Sequence, residues 1–257
     1  MQMDQTTVDL GQVLVDTQDY YGWHVLPDDD LYKRLTDESK NVIDIEATDI
    51  YKLTPYIEDT RLAVEVGCHY GFTTAALCRK FGQVHSFDFN NDVHRCFKMN
   101  MQKFNLDNVV IHSHGLGDRK RNVALGQERG PLSLSIDPVK SWLGEDISQH
   151  VNTLDSFDLP YCDLLCIDTE GYESLVIDGA LDTIKTHRPV IVAELHRKQQ
   201  GLKFGVSNDQ LHKKILDLGY RWVDSITKHD RVYKPKALSV KLPKKRFREN
   251  NAKRLKA

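Results

Sequence analysis

The sequence predicts an α/β fold: an open, mostly parallel seven-stranded sheet with helices on both faces and an antiparallel strand near the C-terminal end. Three observations lead to it. From residue 60 onward, short apolar runs alternate with helix-periodic segments. The runs are β-branched and nearly continuous in apolarity, as strands covered on both faces are. The last two extended segments are joined by the short turn "TKHD" (227–230), which puts one of them antiparallel to the rest.

Taken in order, "LAVEVG" (62–67) is the first buried strand and "TTAALCRKF" (73–81) the helix after it, with Thr73 or Thr74 as cap. "QVHSFDF" (83–89) is the second strand. "DVHRCFKMNMQKF" (92–104) is an amphipathic helix whose stripe is Val93, Cys96, Phe97, Asn100, Met101 and Phe104. "NVVIHS" (108–113) is the third strand. Residues 115–150 carry five glycines and two prolines and read as a loop with short extended pieces such as "PLSLSI". "DLLCID" (163–168) is a strand, "YESLVIDGALDTIK" (172–185) one helix, and "PVIVAEL" (189–195) a strand. "SNDQLHKKILDLG" (207–219) is a helix opened by Ser207 with Gln210 three residues later, a capping box. "YRWVDSI" and "RVYKP" complete the sheet.

Three regions follow: an N-terminal cap segment (1–58), the sheet domain (59–234) and a basic tail (235–257). In the cap, "PDDDLYKRL" starts a helix capped by Asp28 or Asp29, and "DIYKL" before Pro55 starts another. Tyr20, Tyr21 and Trp23 read as packing residues rather than a sugar-stacking lid. The formal net charge of −2 hides an asymmetry: residues 234–257 hold ten Lys/Arg against Glu249 alone, on an otherwise acidic body. Such a tail offers weak contact to nucleic acid or an anionic surface. Its single aromatic, Phe247, provides little stacking.

No run of 18 apolar residues argues for a membrane span, and no basic-then-apolar leader opens the chain. The five cysteines form no C-x-x-C pair, so they are expected reduced, in a cytoplasmic setting, and no zinc site is predicted.

Ligands of open α/β sheets bind beyond the carboxyl ends of the strands. Gly67 and Gly71 stand at that end of the first strand, before a helix whose free N–H groups are positive. His69 occupies the position that the G-x-G-x-x-G dinucleotide fingerprint gives to glycine, and no phosphate-binding P-loop is present. What remains is Glu65-x-Gly67-x-x-x-Gly71, with Asp88 at the end of the second strand, where an acid accepts ribose hydroxyls.

With these residues, the chain resembles the class I S-adenosylmethionine-dependent methyltransferases, and more narrowly the FkbM-type family. The narrower likeness rests on "VNTLDSFDLPYCDLLCIDTEGYESLVIDGA" (151–180), with Thr153-Leu154-Asp155, the stretch Ile167 to Glu173, and Gly179-Ala180. "GLGD" (115–118) and "VAELH" (192–196) agree with it, and the likeness covers roughly residues 60 to 200. It implies a Rossmann-like methyltransferase fold with S-adenosylmethionine as cofactor. Glu65, Gly67, Cys68, Tyr70 and Gly71 would then surround the methionine moiety. Asp88 would hold the ribose, and Asn90 and the turn at His114 to Gly117, with Gly115, would lie near the adenine. Cys68-His69-Tyr70 is bulkier and more polar than the family pattern.

Methyl transfer needs a positioned acceptor and, for a hydroxyl, a base. Asp168 and Glu170, at the end of the fourth strand, are the first candidates, with His196 the next. The two acids are also oxygen ligands of the kind a hard divalent ion takes, although no metal is predicted. Glu173 reads as a complement to the next helix's N-terminus. Glu194 shares a strand face with His196. His69 is a weaker candidate for the base, and His112 reads as structural. The expected function is O-methylation of a hydroxyl on a small molecule or saccharide, as the family resemblance implies. The alternatives are a nucleic-acid methyltransferase docking through the tail, although no N-P-P-Y signature is present, and a non-catalytic module that binds S-adenosylmethionine.

Overall fold

The structure is a computed structural model, and it describes residues 18–20, 22–26, 50–127, 134–195 and 200–237. Strands β1 (Gln18–Tyr20) and β2 (Trp23–Val25) form an antiparallel hairpin in the cap segment, where the sequence suggested only packing. The expected helix at residues 27–35, Tyr21, His196 and the tail from residue 238 lie outside the described residues. Of the expected "DIYKL" helix, one turn at 50–52 forms, followed by a 3-10 turn, Thr54–Tyr56, that contains Pro55.

The core strand β3 (Leu62–Val66) is buried at all five positions, as a strand covered on both faces must be. Helix α1 (Phe72–Cys78), strand β4 (Gln83–Phe87), helix α2 (Asn91–Lys103) and strand β5 (Val109–His112) follow. Where a loop was expected, the chain instead builds a small second sheet. It consists of β6 (Gly115–Leu116), β7 (Arg121–Gln127), β8 (Leu134–Asp137) and β9 (Gln149–Asn152), in the order β6-β9-β7-β8. Helix α3 (Pro138–Leu143) sits within it, capped by Asp137, whose side chain accepts from Val139 N and Lys140 N. These strands are short and glycine-interrupted, so their periodicity was too weak to separate from loop.

Strand β10 (Leu164–Ile167) returns to the main sheet. The predicted single helix at 172–185 is two: α4 (Glu173–Asp178) and α5 (Leu181–His187). The break lies at Gly179, where a Cβ would stand 1.8 Å from the Gly117 carbonyl oxygen. A loop of the second sheet therefore presses on the chain at this point. Asp155, from the "TLD" segment, caps α5 across the chain by accepting from Asp182 N, Thr183 N and Thr183 Oγ1. Strand β11 (Val190–Glu194), helix α6 (Asn208–Asp217) with the expected Ser207/Gln210 capping box, and strands β12 (Tyr220–Ser225) and β13 (Asp230–Pro235) complete the chain.

The main sheet has seven strands in the order β12-β13-β11-β10-β3-β4-β5. All pairs are parallel except those of β13, which runs antiparallel to both β11 and β12. The chain therefore starts at β3 in the centre, moves outward through β4 and β5, and then restarts at β10 on the other side. The switch point, where ligands bind in such sheets, lies between the carboxyl ends of β3 and β10.

The hairpin is tied to this end by a buried amide. Asn100, which the sequence placed among the apolar stripe of α2, accepts from His24 N at 2.6 Å and donates to the His24 and Tyr70 carbonyls at 3.0 Å each. Trp23 is fully buried against Phe72 and Phe104, a packing role as expected. All five cysteines are free thiols, four of them buried. Among the described residues, no helix is long and apolar enough to cross a membrane.

Candidate active site

Two strained turns face each other across the switch point. After β3, Gly67, His69 and Gly71 have φ of +90°, +47° and +87°. After β10, Glu170 and Gly171 have φ of +55° and +107°. A non-glycine residue in the left-handed region costs on the order of 1 kcal/mol or more. Such outliers cluster where geometry serves a ligand rather than stability.

Both glycines also serve the packing of the protein itself. A Cβ on Gly67 would lie 1.7 Å from the Asp168 carbonyl oxygen, so this residue lets the two turns touch. A Cβ on Gly71 would crowd Phe97 and Met101 of α2. The close approaches that both glycines permit are to protein. Thr73 and Thr74 do not cap α1, whose N-cap is Gly71 with no side-chain hydrogen bond. Thr74 Oγ1 instead donates to Glu65 Oε2, which also accepts from Ser86 Oγ at 3.1 Å. Buried Glu65 thus ties β3, α1 and β4 together. The side chains of Cys68 and Tyr70 are buried in the cluster with Trp23 and Phe97, which leaves any ligand contact at these positions to the backbone.

Asp88 follows β4 and is half-buried. Its Oδ2 accepts from His69 N at 3.0 Å and its Oδ1 from Asn90 N at 3.0 Å. The carboxylate therefore bridges the glycine turn and the start of α2 while keeping lone pairs on both oxygens. Asn90 is buried, and its side chain accepts from Val93 N at 3.5 Å. Gly115 packs against Phe89 and Val151 at the same end of the sheet. Close to Asp88 stands His94, with His114 near His94; each has an enclosed Nε2 that has no hydrogen-bond partner among the described residues. His94 carries no sequence signal, since one histidine in an amphipathic helix looks like a surface residue.

On the other side of the switch point, Asp168 N donates to Val66 O at 3.0 Å and the Asp168 side chain is open to solvent. Although solvent reaches it, it is crowded by protein and by acids. Desolvation raises its pKa to about 7, helped by Glu170, Asp230 and Glu173, while a hydrogen bond from Glu194 pulls the other way. Glu170 is half-buried in the same turn. Glu173 is buried, and its Oε1 accepts from Thr169 N, Thr169 Oγ1 and Gly171 N, so it holds the turn together. Among the described residues, no group of three or more His, Cys, Asp or Glu side chains has the arrangement of a metal site.

Behind Asp88, His112 Nε2 lies 3.1 Å from His85 Nδ1, and the His112 ring stacks on Phe87. Burial, then His85, His114 and His94, push the His112 pKa down to about 4. A free histidine titrates near 6.5, so between these values the unfolded chain binds the extra proton. Stability should therefore fall as pH drops from about 6.5 to about 4, by on the order of 1–2 kcal/mol from this residue. Melting curves across that range should flatten in part for His112→Gln. An unchanged slope would remove His112 from the account.

A seven-stranded sheet in this order, with its single antiparallel strand and its strained turns at the switch point, defines the Rossmann-like methyltransferase class. The model of the methyltransferase FkbM domain matches residues 27–222. The chain belongs to that family. Among solved structures, it is similar to an FkbM methyltransferase from Methylobacillus flagellatus KT, with 17% identity over 68% of this chain and 43% of that one, at a TM-score of 0.48. It is also similar to a precorrin 8W decarboxylase from Methanobacterium thermoautotrophicum, with 14% identity over 74% of this chain and 89% of that one, at a TM-score of 0.45. A SAM-dependent methyltransferase from Aquifex aeolicus shares 14% identity over 79% and 95% of the two chains, at a TM-score of 0.42. At these scores the three likenesses add nothing to the family assignment. Among curated proteins, none matches the chain.

Proposed function

We propose that this chain is an S-adenosylmethionine-dependent methyltransferase that methylates a hydroxyl on a small molecule or saccharide. The observation that carries the reading is Asp88, anchored between the glycine turn and α2 with acceptor capacity to spare. The enclosed His94 Nε2 stands near it, with that of His114 beyond, neither partnered among the described residues. Enclosed polar atoms without partners are costly in a finished fold, and an adenosyl group with its ribose hydroxyls and base nitrogens suits this set of donors and acceptors.

In this reading Asp88 holds the ribose hydroxyls, and Asn90 and Gly115 border the base. The backbone of the turn from Gly67 to Gly71 receives the methionine end, supported from within by Glu65. When bound, S-adenosylmethionine supplies an electrophilic methyl group on its sulfonium. The chain's own task is then to orient the acceptor and take its proton. Asp168 suits that task because its side chain is open to solvent and its pKa is pushed up toward neutrality. Glu170, beside it, orients the acceptor, and His196, outside the described residues, is a further candidate for the base from its place in the sequence. The hydroxyl preference rests on the family likeness and on this acid.

Calorimetry with S-adenosylhomocysteine tests the reading. Binding in the micromolar range is expected. Folded protein that shows no heat of binding at high micromolar ligand would refute it.

A further inference from the structure

Asp168 and Glu194 are neighbours that the chain order hides. They are 26 positions apart, on strands joined by two helices. In the sheet, Ile167 pairs with Ala193 in parallel register, so the next residues, Asp168 and Glu194, stand side by side at the carboxyl ends. Each carboxyl is among the groups that set the other's titration, so the two lie close together. Ionised carboxylates only accept hydrogen bonds and repel each other, so a pair this close is relieved by holding one proton between them. Asp168 is open to solvent, whereas Glu194 is half-buried behind it.

We propose that Glu194 is a positioning residue for Asp168: it keeps the shared proton and donates the hydrogen bond that holds Asp168 as the ionised base. The inference rests on the methyltransferase reading above and names a part of its machinery.

The surroundings explain why the proton stays. Glu194 pairs across the sheet with Asp230 of β13, and Glu170 and Glu173 approach from the turn after β10. On the β13 side, the backbone of His229 accepts from Leu195 N. With so many acids together, a second full charge on the pair is repelled. Desolvation, then the Asp168 charge, pushes the Glu194 pKa up, which agrees with the proton residing there. When the acceptor gives up its hydroxyl proton, that proton passes to Asp168. The pair then goes from one proton to two and from a single negative charge to neutral. Release of a proton to solvent through the open side of Asp168 restores the starting state.

The test is a carboxyl ¹³C NMR titration of the full chain with Glu194→Gln and Glu194→Leu. The Gln amide keeps a donor and Leu does not. In the wild type and in E194Q, Asp168 should titrate at about the same pH. In E194L its midpoint should rise by about one pH unit, because the hydrogen bond that lowered it is gone. An Asp168 midpoint unchanged in E194L, or moved as far in E194Q as in E194L, overturns the proposal.

A second measurement stands if E194L does not fold. A carboxyl with a raised folded pKa stabilises at low pH and loses that contribution as pH rises through the folded value. Above the His112 window, from about pH 7 toward 10, the wild-type melting temperature should therefore decline, and E194Q should decline less. Equal slopes overturn the proposal. S-adenosylhomocysteine calorimetry on the same samples separates the two ideas. Wild-type protein that binds no ligand defeats the methyltransferase reading, whatever the titration shows.

Discussion

Gly67→Ala should leave little folded protein. The added Cβ would stand 1.7 Å from the Asp168 carbonyl oxygen and 2.9 Å from its carbon, both backbone atoms that no rotamer change can move away. The residue also has φ of +90°, where an L side chain is strained even in open space. Relief would require β3 and β10 to part at their carboxyl ends, in the middle of the sheet. The cost should be about 4 kcal/mol or more, in the range that identifies a backbone collision rather than a lost contact. Since domains have only about 5–15 kcal/mol in total, a large drop in melting temperature is the expected readout. Gly144→Ala is the control, because its φ of +73° is accompanied by open space. It should cost only about 1 kcal/mol. If the two substitutions cost the same, the close contact of the two turns is not what Gly67 provides.

Asp88→Ala should weaken S-adenosylhomocysteine binding by about 100-fold or more, with the sheet intact. The carboxylate serves two partners of its own, His69 N and Asn90 N, and in the proposed complex it also receives ribose hydroxyls. Hydrogen bonds to a charged group contribute about 1.5–3 kcal/mol each, so losing two sugar contacts suffices for that factor. Asp88→Asn keeps one acceptor oxygen and should fall between the wild type and the alanine variant. Calorimetry and a melting curve on each variant separate loss of ligand from loss of fold. Wild-type affinity in Asp88→Ala would remove Asp88 from the ribose site.

Much of the fold was legible in the sequence, and the reason is local. Strands β3, β10 and β11 carry their burial in nearly continuous apolar runs, and Ser207 with Gln210 announces α6 within four positions. The second sheet was not legible, because β6 and β9 are too short for a period to show. The break at Gly179 depends on the carbonyl of Gly117, 62 positions earlier, and no local pattern carries that.

The site divides in the same way. Asp88 and Asp168 follow from their places at strand ends. Glu65 was read as a pocket residue but lies buried between Thr74 and Ser86, since an alternating pattern says which face a side chain takes and not what waits there. His94 beside Asp88 and Asn100 clasping the hairpin had no signal of their own, and Glu194, read beside His196, gave none of its pairing with Asp168.

By itself, the sequence determined the succession of the main sheet's strands, the family and the two turns that carry the acids. Those depend on periodicity and spacing, which act over a few residues. Only the tertiary structure decided that the Gly67 turn and the Asp168 turn touch, and that Asp168 has a carboxyl partner. Such pairings depend on which strands the crossovers bring side by side, and the outward-then-return path from β3 to β5 and back to β10 is a property of the whole sheet.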